Sequence, residues 1–338
     1  MPGGSPLYYD GMIAVDWVLG RNGKLLQTYW DARSVTEMAK SLVRKCKSAP
    51  FFLFANYMDP HEPYSPPPPF DHVDGPDIPI NRTIAVHGPW QKLYDNYIRT
   101  GEGLTPELLA QASNQYDGEL AFTDHWIGDF LESLKAEGVY DDTLIFVLSD
   151  HGEFFGEHQL LDHGTGLYEG GIRIPIIVKY PGGAHAGEVI NKRVSIIDVF
   201  PTVFEVTKLL PAPPSSGQSL DSVSHPIVAE EFEDGLRVFR YGEKFRRTLN
   251  ATYSGDLKLI QSSLGQKELY DVAADPAEST NLVDVRLGSA AELAAQLSAW
   301  DERTQVFNGK AEAAASMSPE MLERLRALGY IGNAAPKH

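Results

Sequence analysis

Four side chains that can bind a metal or move a proton lie within fourteen positions of one loop. The segment 144-LIFVLSDHGEFFGEHQLLDHGTGLYEGG-171 carries Asp150, His151, His158 and His163 just after a run of apolar residues. A carboxylate and an imidazole are ordinary ligands for a divalent cation. A loop histidine can also bind an anion, donate a proton or complete a second metal site. The alternative is a polar turn whose histidines lie on the surface.

Another candidate, His61, follows a second apolar run, 51-FFLFANYM-58, in a proline-rich loop. Both apolar runs are typical of strands buried in a parallel sheet, and ligands bind beyond the carboxyl ends of such strands. If the two strands are parallel neighbours, His61 converges with Asp150 and His151. Successive strand residues point to opposite faces, so the last two can share an ion only where the strand unwinds. Gly152 permits that bend.

The order of the predicted elements indicates an α/β fold with a mainly parallel central sheet and helices on both faces. Apolar periodicity and end signals place the helices between short apolar strands. Ser34 is the expected cap of the first helix, and Pro201 is expected to bend the third. The predicted helices are 34–47, 105–138 and 195–210, and the predicted strands are 51–58, 143–149 and 174–180.

The pattern changes after the loop 211-PAPPSSGQS-219. Shorter segments with turn signals, such as 252-TYSGDLKLIQ-261, predict a small C-terminal antiparallel sheet. A helix is predicted at 318–329, with Ser318 as its cap. The predicted boundaries are 1–210 for the α/β domain, 211–285 for the antiparallel subdomain and 286–338 for a helical tail.

The composition of the 338 residues fits a folded enzyme and argues against two other classes. Apolar residues make up 43% and supply a core, whereas a net charge of −17 argues against a nucleic-acid partner. No apolar run approaches the roughly 18 residues of a membrane span, and the N-terminus has no signal-peptide pattern. The single cysteine, Cys46, excludes an internal disulfide and a thiolate zinc site.

Six segments, in matching order, resemble motifs of the sulfatases, which belong to the alkaline-phosphatase-like superfamily of metal-dependent sulfo- and phosphohydrolases. The resemblance covers roughly residues 30–285. It implies an alkaline-phosphatase-like fold and a small anionic ester as substrate, of the sulfated-sugar or aryl sulfate class. The segments are 51-FFLFANYMDPHEPY-64, 116-YDGELAFTDHWIGDFLESL-134, 143-TLIFVLSDHGEFFGEH-158, 168-YEGGIRIPIIVKYPG-182, 198-DVFPT-202 and 268-ELYDVAADPAESTNL-282.

The resemblance also assigns roles to individual residues. Asp150 and His151 match the pair that completes the divalent-metal site of the family. His61 matches a histidine that contacts the transferred group or the leaving oxygen. His163 resembles a substrate-side histidine of phosphoryl-transferring relatives, at a position where arylsulfatases have a lysine, and this departure weakens the case for a sulfate ester. One divalent cation is implied, which is calcium for a sulfatase and manganese or zinc for a phosphoryl-transferring relative.

A larger departure lies in residues 1–50. Family members open with a strand that carries acidic metal ligands, followed by a Cys, Ser or Thr nucleophile in a defined motif. Cys46 lies in 45-KCKSAP-50, which is not Cys-x-Pro-x-Arg, and no Ser or Thr there has the right setting. The chain is therefore expected to be the C-terminal two-thirds of such an enzyme. Its compartment stays open, since relatives are often periplasmic or secreted.

Three functions stay open on the sequence alone. The first is a metal-dependent sulfuric ester hydrolase that is incomplete in this chain. The second keeps the fold and the metal but acts on a phosphoryl or phosphonate group, as a phosphodiesterase, a phosphonate monoester hydrolase or a phosphoryl-transferase. The third is an inactive fragment that only binds metal or ligand. The sequence does not specify the oligomeric state.

Overall fold

The structure is a computed structural model that describes residues 18–19, 25–26, 30–62, 64–71, 89–209 and 215–304. These residues fall in two compact units. Unit 1 contains the described residues up to position 71 together with 111–138. Unit 2 contains the described residues of 89–110 and of 139–304.

Seven α-helices and ten strands are assigned within the described residues. The helices are α1 Ala32–Cys46, α2 Pro89–Thr100, α3 Pro106–Ala136, α4 Glu169–Ile172, α5 Val199–Thr207, α6 Gly235–Tyr241 and α7 Leu287–Thr304. The strands are β1 Val18–Leu19, β2 Leu25–Leu26, β3 Ile145–Leu148, β4 Phe154–Phe155, β5 Leu161–Asp162, β6 Ile176–Lys179, β7 Val228–Glu231, β8 Leu249–Ser254, β9 Leu257–Ser262 and β10 Lys267–Asp271. Within this part of the chain, no helix has the length and apolar character needed to cross a membrane.

In unit 1, helix α1 begins one turn earlier than the predicted cap. Asp31 is the N-cap, and its carboxylate accepts a 2.8 Å hydrogen bond from the N–H of Ser34. Ser34 therefore lies inside the first turn. The buried side of α1 packs against α3, where the hydroxyl of Thr36 donates to the carbonyl of Trp126 at 3.2 Å.

Helix α3 confirms the predicted long helix, since it starts at Pro106 and is followed by Gly138 at a φ of 71°. Its middle approaches the proline-rich segment 64–71 closely. A Cβ at Gly118 would lie 2.5 Å from the carbonyl oxygen of Phe70 and 2.7 Å from the ring of Pro66. Only glycine allows this approach, so Gly118 fixes the segment onto the helix.

Residues 51–58, predicted to be a strand buried on both faces, are assigned no strand in the structure. Exposure alternates along this segment, with Phe52 84% exposed and Phe54 71% exposed. None of the ladders formed by the described residues includes it. The predicted buried strand is therefore wrong for the described residues, because an apolar run alone does not show which neighbours cover its two faces.

The pairing of β3 also differs from the predicted parallel arrangement. β3 pairs antiparallel with β6, so that Ile145 lies opposite Lys179 and Leu148 opposite Ile176. Every ladder among the described residues is antiparallel. A mainly parallel central sheet is thus not confirmed. Strand direction depends on partners far along the chain, and antiparallel strands are common additions to sheets of this class.

The predicted C-terminal antiparallel sheet of unit 2 is confirmed. Its strands lie in the order β10-β9-β8-β7, and Gly255, at a φ of 56°, forms the tight turn between β8 and β9. One face of the sheet packs on α7, where Leu259 and Leu269 contact Leu293. The other face buries Ile260 with residues near α4.

Two further helix predictions have different outcomes. Pro201 does not bend a helix, because a 3₁₀ turn at Ile196–Asp198 comes first and α5 starts at Val199. The proline then lies in the first turn, where its missing N–H costs little. The helix predicted at 318–329 lies outside the described residues, and the predicted domain boundaries stay predictions.

Two buried carboxyl groups make the stability of unit 1 depend on pH. Glu119 is 4% exposed, and its Oε1 accepts a 2.6 Å hydrogen bond from the N–H of Ser65. Burial raises the pKa of Glu119 to about 8, although that hydrogen bond acts against it. Burial likewise raises the pKa of Asp59 to about 6. Both groups keep a proton in the folded state where the unfolded chain has lost it.

Raising the pH from about 5 to about 8 is therefore expected to destabilise the protein. The free energy of unfolding falls by about 1.4 kcal/mol per pH unit for each carboxyl group that is protonated in the folded state and ionised in the unfolded chain. For Glu119 the stabilisation is complete below the ordinary pKa of 4.5 and is lost as the pH rises through about 8. The Glu119→Gln variant should have a flatter pH profile, measured as the urea midpoint. The exposed Glu132→Gln variant on the same helix should keep the wild-type slope, and equal slopes in all three proteins would contradict this explanation.

Candidate active site

Asp150 and His151 lie together in unit 2, in the loop that follows β3. Asp150 Oδ1 is 3.7 Å from His151 Nε2. The Asp150 side chain is 77% exposed and that of His151 is 38% exposed, so a solvent ion can reach both. The two side chains thus face the same space, although they are neighbours in sequence.

The loop is bent by backbone contacts that only glycine allows. Gly152 N–H donates to the carbonyl of Gly171 at 2.8 Å, and a Cβ at Gly152 would lie 2.2 Å from the carbonyl oxygen of Gly170. The hydroxyl of Ser149 donates to the carbonyl of His151 at 2.6 Å. The chain therefore leaves the regular strand here, which is the condition under which consecutive side chains can point the same way.

The orientation of the His151 ring suits a metal ligand. Nδ1 lies 2.9 Å from the carbonyl oxygen of Gly152, which can only accept, so Nδ1 carries the hydrogen. The lone pair is then on Nε2, the nitrogen that faces Asp150. Two ligand atoms 3.7 Å apart can both lie at the usual 2.0–2.6 Å from one ion. The donor set fits a divalent cation. Nδ1, the ring nitrogen that does not face the ion, donates to a backbone carbonyl, as in many metal sites.

His163 comes back to the same place through a short hairpin. β5 pairs antiparallel with β4, with Phe154 opposite Asp162. The imidazole of His163 stacks on that of His151, with the ring centroids 4.0 Å apart and the planes at 21°. The structure therefore brings three of the four predicted site residues together, while their chemical roles stay predictions.

Two carboxylates that the sequence analysis missed surround His163. Its Nδ1 is 2.7 Å from Asp162 Oδ1 and 3.4 Å from Oε1 of Glu153, which is almost fully buried. Burial of the ring favours its neutral form, but the two carboxylates outweigh burial and raise the pKa of His163 to about 10. One polar atom from each of Glu153, Asp162 and His163 lies within 4.8 Å of the other two, so the group resembles a cation site. At 2.7 Å the nitrogen and the carboxylate are already in hydrogen-bond contact, so these residues form a charge pair.

The other two histidines have different surroundings. His61 lies in unit 1, where its N–H donates to the carbonyl of Met58 at 3.0 Å and its Nδ1 contacts the carbonyl of Glu62 at 2.8 Å. Its predicted convergence with Asp150 stays a prediction. The ring of His158 stacks on Tyr168 at 3.5 Å, and its Nε2 contacts the carbonyl of Ala277 at 3.1 Å. These contacts explain His158 as a packing residue.

A group of buried charged side chains contacts the start of α4 and was not predicted from the sequence. Lys258 is fully buried, and its Nζ is 3.1 Å from Glu169 and 2.8 Å from Glu278. Glu278 also accepts a 2.6 Å hydrogen bond from the N–H of Glu169, the first residue of α4. Although burial opposes its ionisation, Lys258 lowers the pKa of Glu169.

Helix α4 connects these buried charges to the loop that carries Asp150 and His151. It contains Gly170 and Gly171, the two residues that contact Gly152 beside His151. The hydroxyl of Tyr253 adds a 2.6 Å hydrogen bond to Glu169 from strand β8. No local pattern predicts this arrangement, because a lysine between apolar strand residues is normally expected at the surface.

Comparison with known protein families shows which families match this chain and over which residues. The family model described as Sulfatase matches residues 5–209. A second family model, described as N-sulphoglucosamine sulphohydrolase, C-terminal, matches residues 156–304. The first model thus includes the loop with Asp150 and His151, and both include His163.

Individual proteins give a consistent result. An arylsulfatase of Clostridium perfringens is 29% identical over 290 residues, which is 81% of this chain and 58% of that protein. The multifunctional alkaline phosphatase superfamily protein PehA of Trinickia caryophylli is 30% identical over 215 residues, or 58% of this chain and 41% of that protein. The chain therefore spans about half the length of these relatives.

Solved structures agree in fold. The phosphonate monoester hydrolase of Agrobacterium radiobacter matches with a TM-score of 0.62 and 24% identity, over 85% of this chain and 65% of that one. At this identity the likeness shows a shared fold only. It supports an alkaline-phosphatase-like α/β architecture, which the antiparallel pairings of the described residues do not establish by themselves.

Proposed function

The chain belongs to the sulfatase family, and we propose that it hydrolyses sulfate esters with one divalent cation held by Asp150 and His151. The observation that carries the proposal is the 3.7 Å separation of Asp150 Oδ1 and His151 Nε2, together with the stacking of the His163 ring on the His151 ring. Members of this family are hydrolases of sulfate esters. The substrate of this chain is proposed to be a small anionic ester of the sulfated-sugar or aryl sulfate class.

The cation supplies electrostatic stabilisation of the ester oxygens when it is bound. Asp150 provides the charged ligand, and its exposed carboxylate stays accessible from solvent. His151 provides the neutral ligand, because the Gly152 carbonyl holds the hydrogen on Nδ1. A carboxylate favours calcium, and calcium is the proposed ion for a sulfate ester, whereas an imidazole ligand suits manganese or zinc.

His163 is proposed to contact the anionic ester beside the metal ligands. Its ring lies parallel to that of His151 and is fixed by contact with Asp162, so it can present a polar edge to a bound anion. Residues 1–50 lack the nucleophile motif of the family, so water is proposed to attack the sulfur and to lose its proton to solvent. His61 is proposed to protonate the ester oxygen that leaves as the new sulfur–oxygen bond to water forms and the old one breaks. That role requires His61 to lie within hydrogen-bond reach of the same substrate.

A second candidate function is supported by one specific feature, the histidine at position 163. By the sequence resemblance, an arylsulfatase is expected to have a lysine at this position and a phosphoryl-transferring relative a histidine. A relative 30% identical to this chain is described as a multifunctional alkaline phosphatase superfamily protein. Hydrolysis of phosphonate monoesters or phosphate diesters at the same site is therefore the alternative.

An assay of matched esters tests the proposal. We expect turnover of an aryl sulfate that is lost with a chelator and restored by calcium, and slower turnover of an aryl phosphonate and a bis-aryl phosphate. The His163→Lys variant should favour the sulfate further, while the exposed His185→Ala variant should behave like the wild type. Faster turnover of the phosphorus esters would support the alternative. Cation binding without turnover of any ester would contradict both and leave a metal-binding fragment.

A further inference from the structure

A cavity of about 480 Å³ lies in unit 2, and none of its lining residues belongs to the loop that carries Asp150 and His151. Its walls are residues 191–193 and 224–227, the end of β8 with the turn that follows, and Gln296 of α7. This volume is within the range of about 300–1,000 Å³ that is typical of small-molecule sites. The cavity is therefore large enough to hold a ligand of its own.

Two basic side chains form one wall of this cavity. The guanidinium of Arg193 lies over the ring of Tyr253, 4.9 Å from its centroid, and Nη1 donates to the carbonyl of Gly255 at 2.5 Å. These contacts fix its orientation, and at 34% exposure it stays accessible to a ligand. Nζ of Lys192 donates to the carbonyl of Val223, which fixes its position without neutralising its charge. Each of the two groups has further N–H donors for an anion.

The positive charge of this wall exceeds the negative charge beside it. Among the described residues that line the cavity, Asp256 is the one acid, and its Oδ1 lies 3.7 Å from Arg193 Nη1. Asp256 is 66% exposed, so it pairs with the arginine weakly. The carboxyl groups of Glu169 and Glu278 do not line the cavity, and both contact the buried Lys258. Two lining cations against one lining acid attract an anion in this otherwise acidic chain.

His225 also lines the cavity, but both of its ring nitrogens are occupied. Nε2 lies 2.6 Å from Oδ1 of Asp198, and Nδ1 lies 2.8 Å from the carbonyl oxygen of Pro226. Asp198 is fully buried behind the ring and does not line the cavity. The hydroxyl of Ser224 donates to Oε1 of Gln218 at 3.0 Å. Neither the histidine nor the serine is available as a base or a nucleophile, so the cavity is suited to binding rather than to catalysis.

Gln296 supplies the opposite kind of polar atom. Its Nε2 donates to Oγ1 of Thr252 at 2.6 Å and to the carbonyl of Tyr253 at 3.1 Å, so both amide hydrogens are used within the protein. Oε1 is then the atom left for a ligand, and it can only accept a hydrogen bond. The exposed carboxylate of Asp256 is a second acceptor in the same lining. Acceptors bind hydroxyl groups, so the cavity fits a molecule that carries both an anionic group and hydroxyl groups.

We propose that this cavity is a binding site for a sugar acid, a molecule of monosaccharide size with one carboxylate group and several hydroxyl groups. The carboxylate contacts Lys192 and Arg193, while hydroxyl groups donate to Gln296 Oε1 and to Asp256. A neutral sugar lacks the first contacts, and a simple carboxylate lacks the second. The site goes beyond the proposed hydrolysis of sulfate esters, because none of its residues takes part in that reaction.

Calorimetric titration with two methyl glycosides tests the site. Methyl β-D-glucuronide carries the carboxylate, and methyl β-D-glucoside has the same ring without it. Both are titrated into calcium-free protein at low ionic strength, so that no cation at Asp150 and His151 can bind the carboxylate. We expect the wild type to bind the glucuronide at least about tenfold more tightly than the glucoside, which corresponds to about 1.4 kcal/mol. Equal affinities, or no binding of either compound, would overturn the proposal.

Variants of the two basic residues test where the carboxylate binds. Arg193→Gln and Lys192→Gln should each lower the affinity for the glucuronide at least about fivefold, while the affinity for the glucoside stays within about twofold. Lys267→Gln is the matched control, because it removes the same charge at an exposed position of β10 outside the lining. Unfolding temperatures check that each variant is folded. Wild-type affinity for the glucuronide in both cavity variants would show that the cavity is not the site.

The Asp150→Asn variant separates this site from the proposed active site. It should keep the affinity for the glucuronide within about twofold of the wild type, since Asp150 does not line the cavity. Loss of glucuronide binding in this variant would place the ligand at the proposed active site and overturn the inference. Absence of ester turnover in the wild type would contradict the proposed function alone, because the binding titration needs neither calcium nor an ester.

Discussion

Replacing Asp150 by alanine is expected to lower the affinity for a divalent cation by at least about 100-fold and to reduce aryl sulfate turnover to background. Loss of a residue that only hydrogen-bonds to a metal ligand lowers metal affinity by about 10- to 100-fold, and Asp150 is proposed to be the charged ligand itself. The remaining His151 Nε2 is a neutral donor and cannot hold calcium alone. Calorimetric titration with calcium measures the first effect, and chelator-reversible turnover measures the second.

The control for this variant is Asp142→Asn. Asp142 is exposed and precedes β3 in the same unit, so the variant removes the same charge while the loop stays intact. It should bind calcium like the wild type. Retention of wild-type calcium affinity by Asp150→Ala would show that the metal lies elsewhere, whatever its effect on turnover.

Replacing Lys258 by methionine is expected to destabilise the protein by about 3–5 kcal/mol. The lysine is fully buried between Glu169 and Glu278, so its removal leaves two carboxyl groups in the interior without their cation. Glu278 is held at a φ of 51°, a left-handed conformation that is unfavourable for a non-glycine residue and needs support from its contacts. Urea unfolding measures the change as a shift of the midpoint.

A charge-neutral variant distinguishes lost charge balance from lost packing. The triple variant Lys258→Met, Glu169→Gln and Glu278→Gln should recover a large part of the lost stability, because no unpaired charge is left inside. Lys267→Met, at an exposed position of β10, is the matched control and should stay within about 0.5 kcal/mol of the wild type. If the single and triple variants were equally unstable, charge balance would not be the cause.

The sequence predicts those parts of the site that depend on local chain geometry. Asp150, His151 and His163 lie within one loop, and the glycine at 152 permits the bend that turns the first two toward each other. The C-terminal sheet is predicted for a similar reason, since turn residues such as Gly255 fix where each strand ends. These features need only a few neighbouring residues to be specified.

Features that depend on distant partners could not be predicted in this way. The apolar run 51–58 does not contain the information about which neighbours cover it, and Phe52 proves to be exposed. The direction of β3 is set by β6, which lies some thirty residues further along the chain. Lys258 has no local signal for burial, because its partners Glu169 and Glu278 come from other segments.

Diffraction at the manganese absorption edge from crystals grown with Mn²⁺ tests the central claim most directly. We predict an anomalous peak within about 2.0–2.6 Å of both Asp150 Oδ1 and His151 Nε2. A peak bound instead by Glu153, Asp162 and His163, or an ordered Asp150–His151 pair without any peak, would contradict the assignment of this pair as the metal ligands.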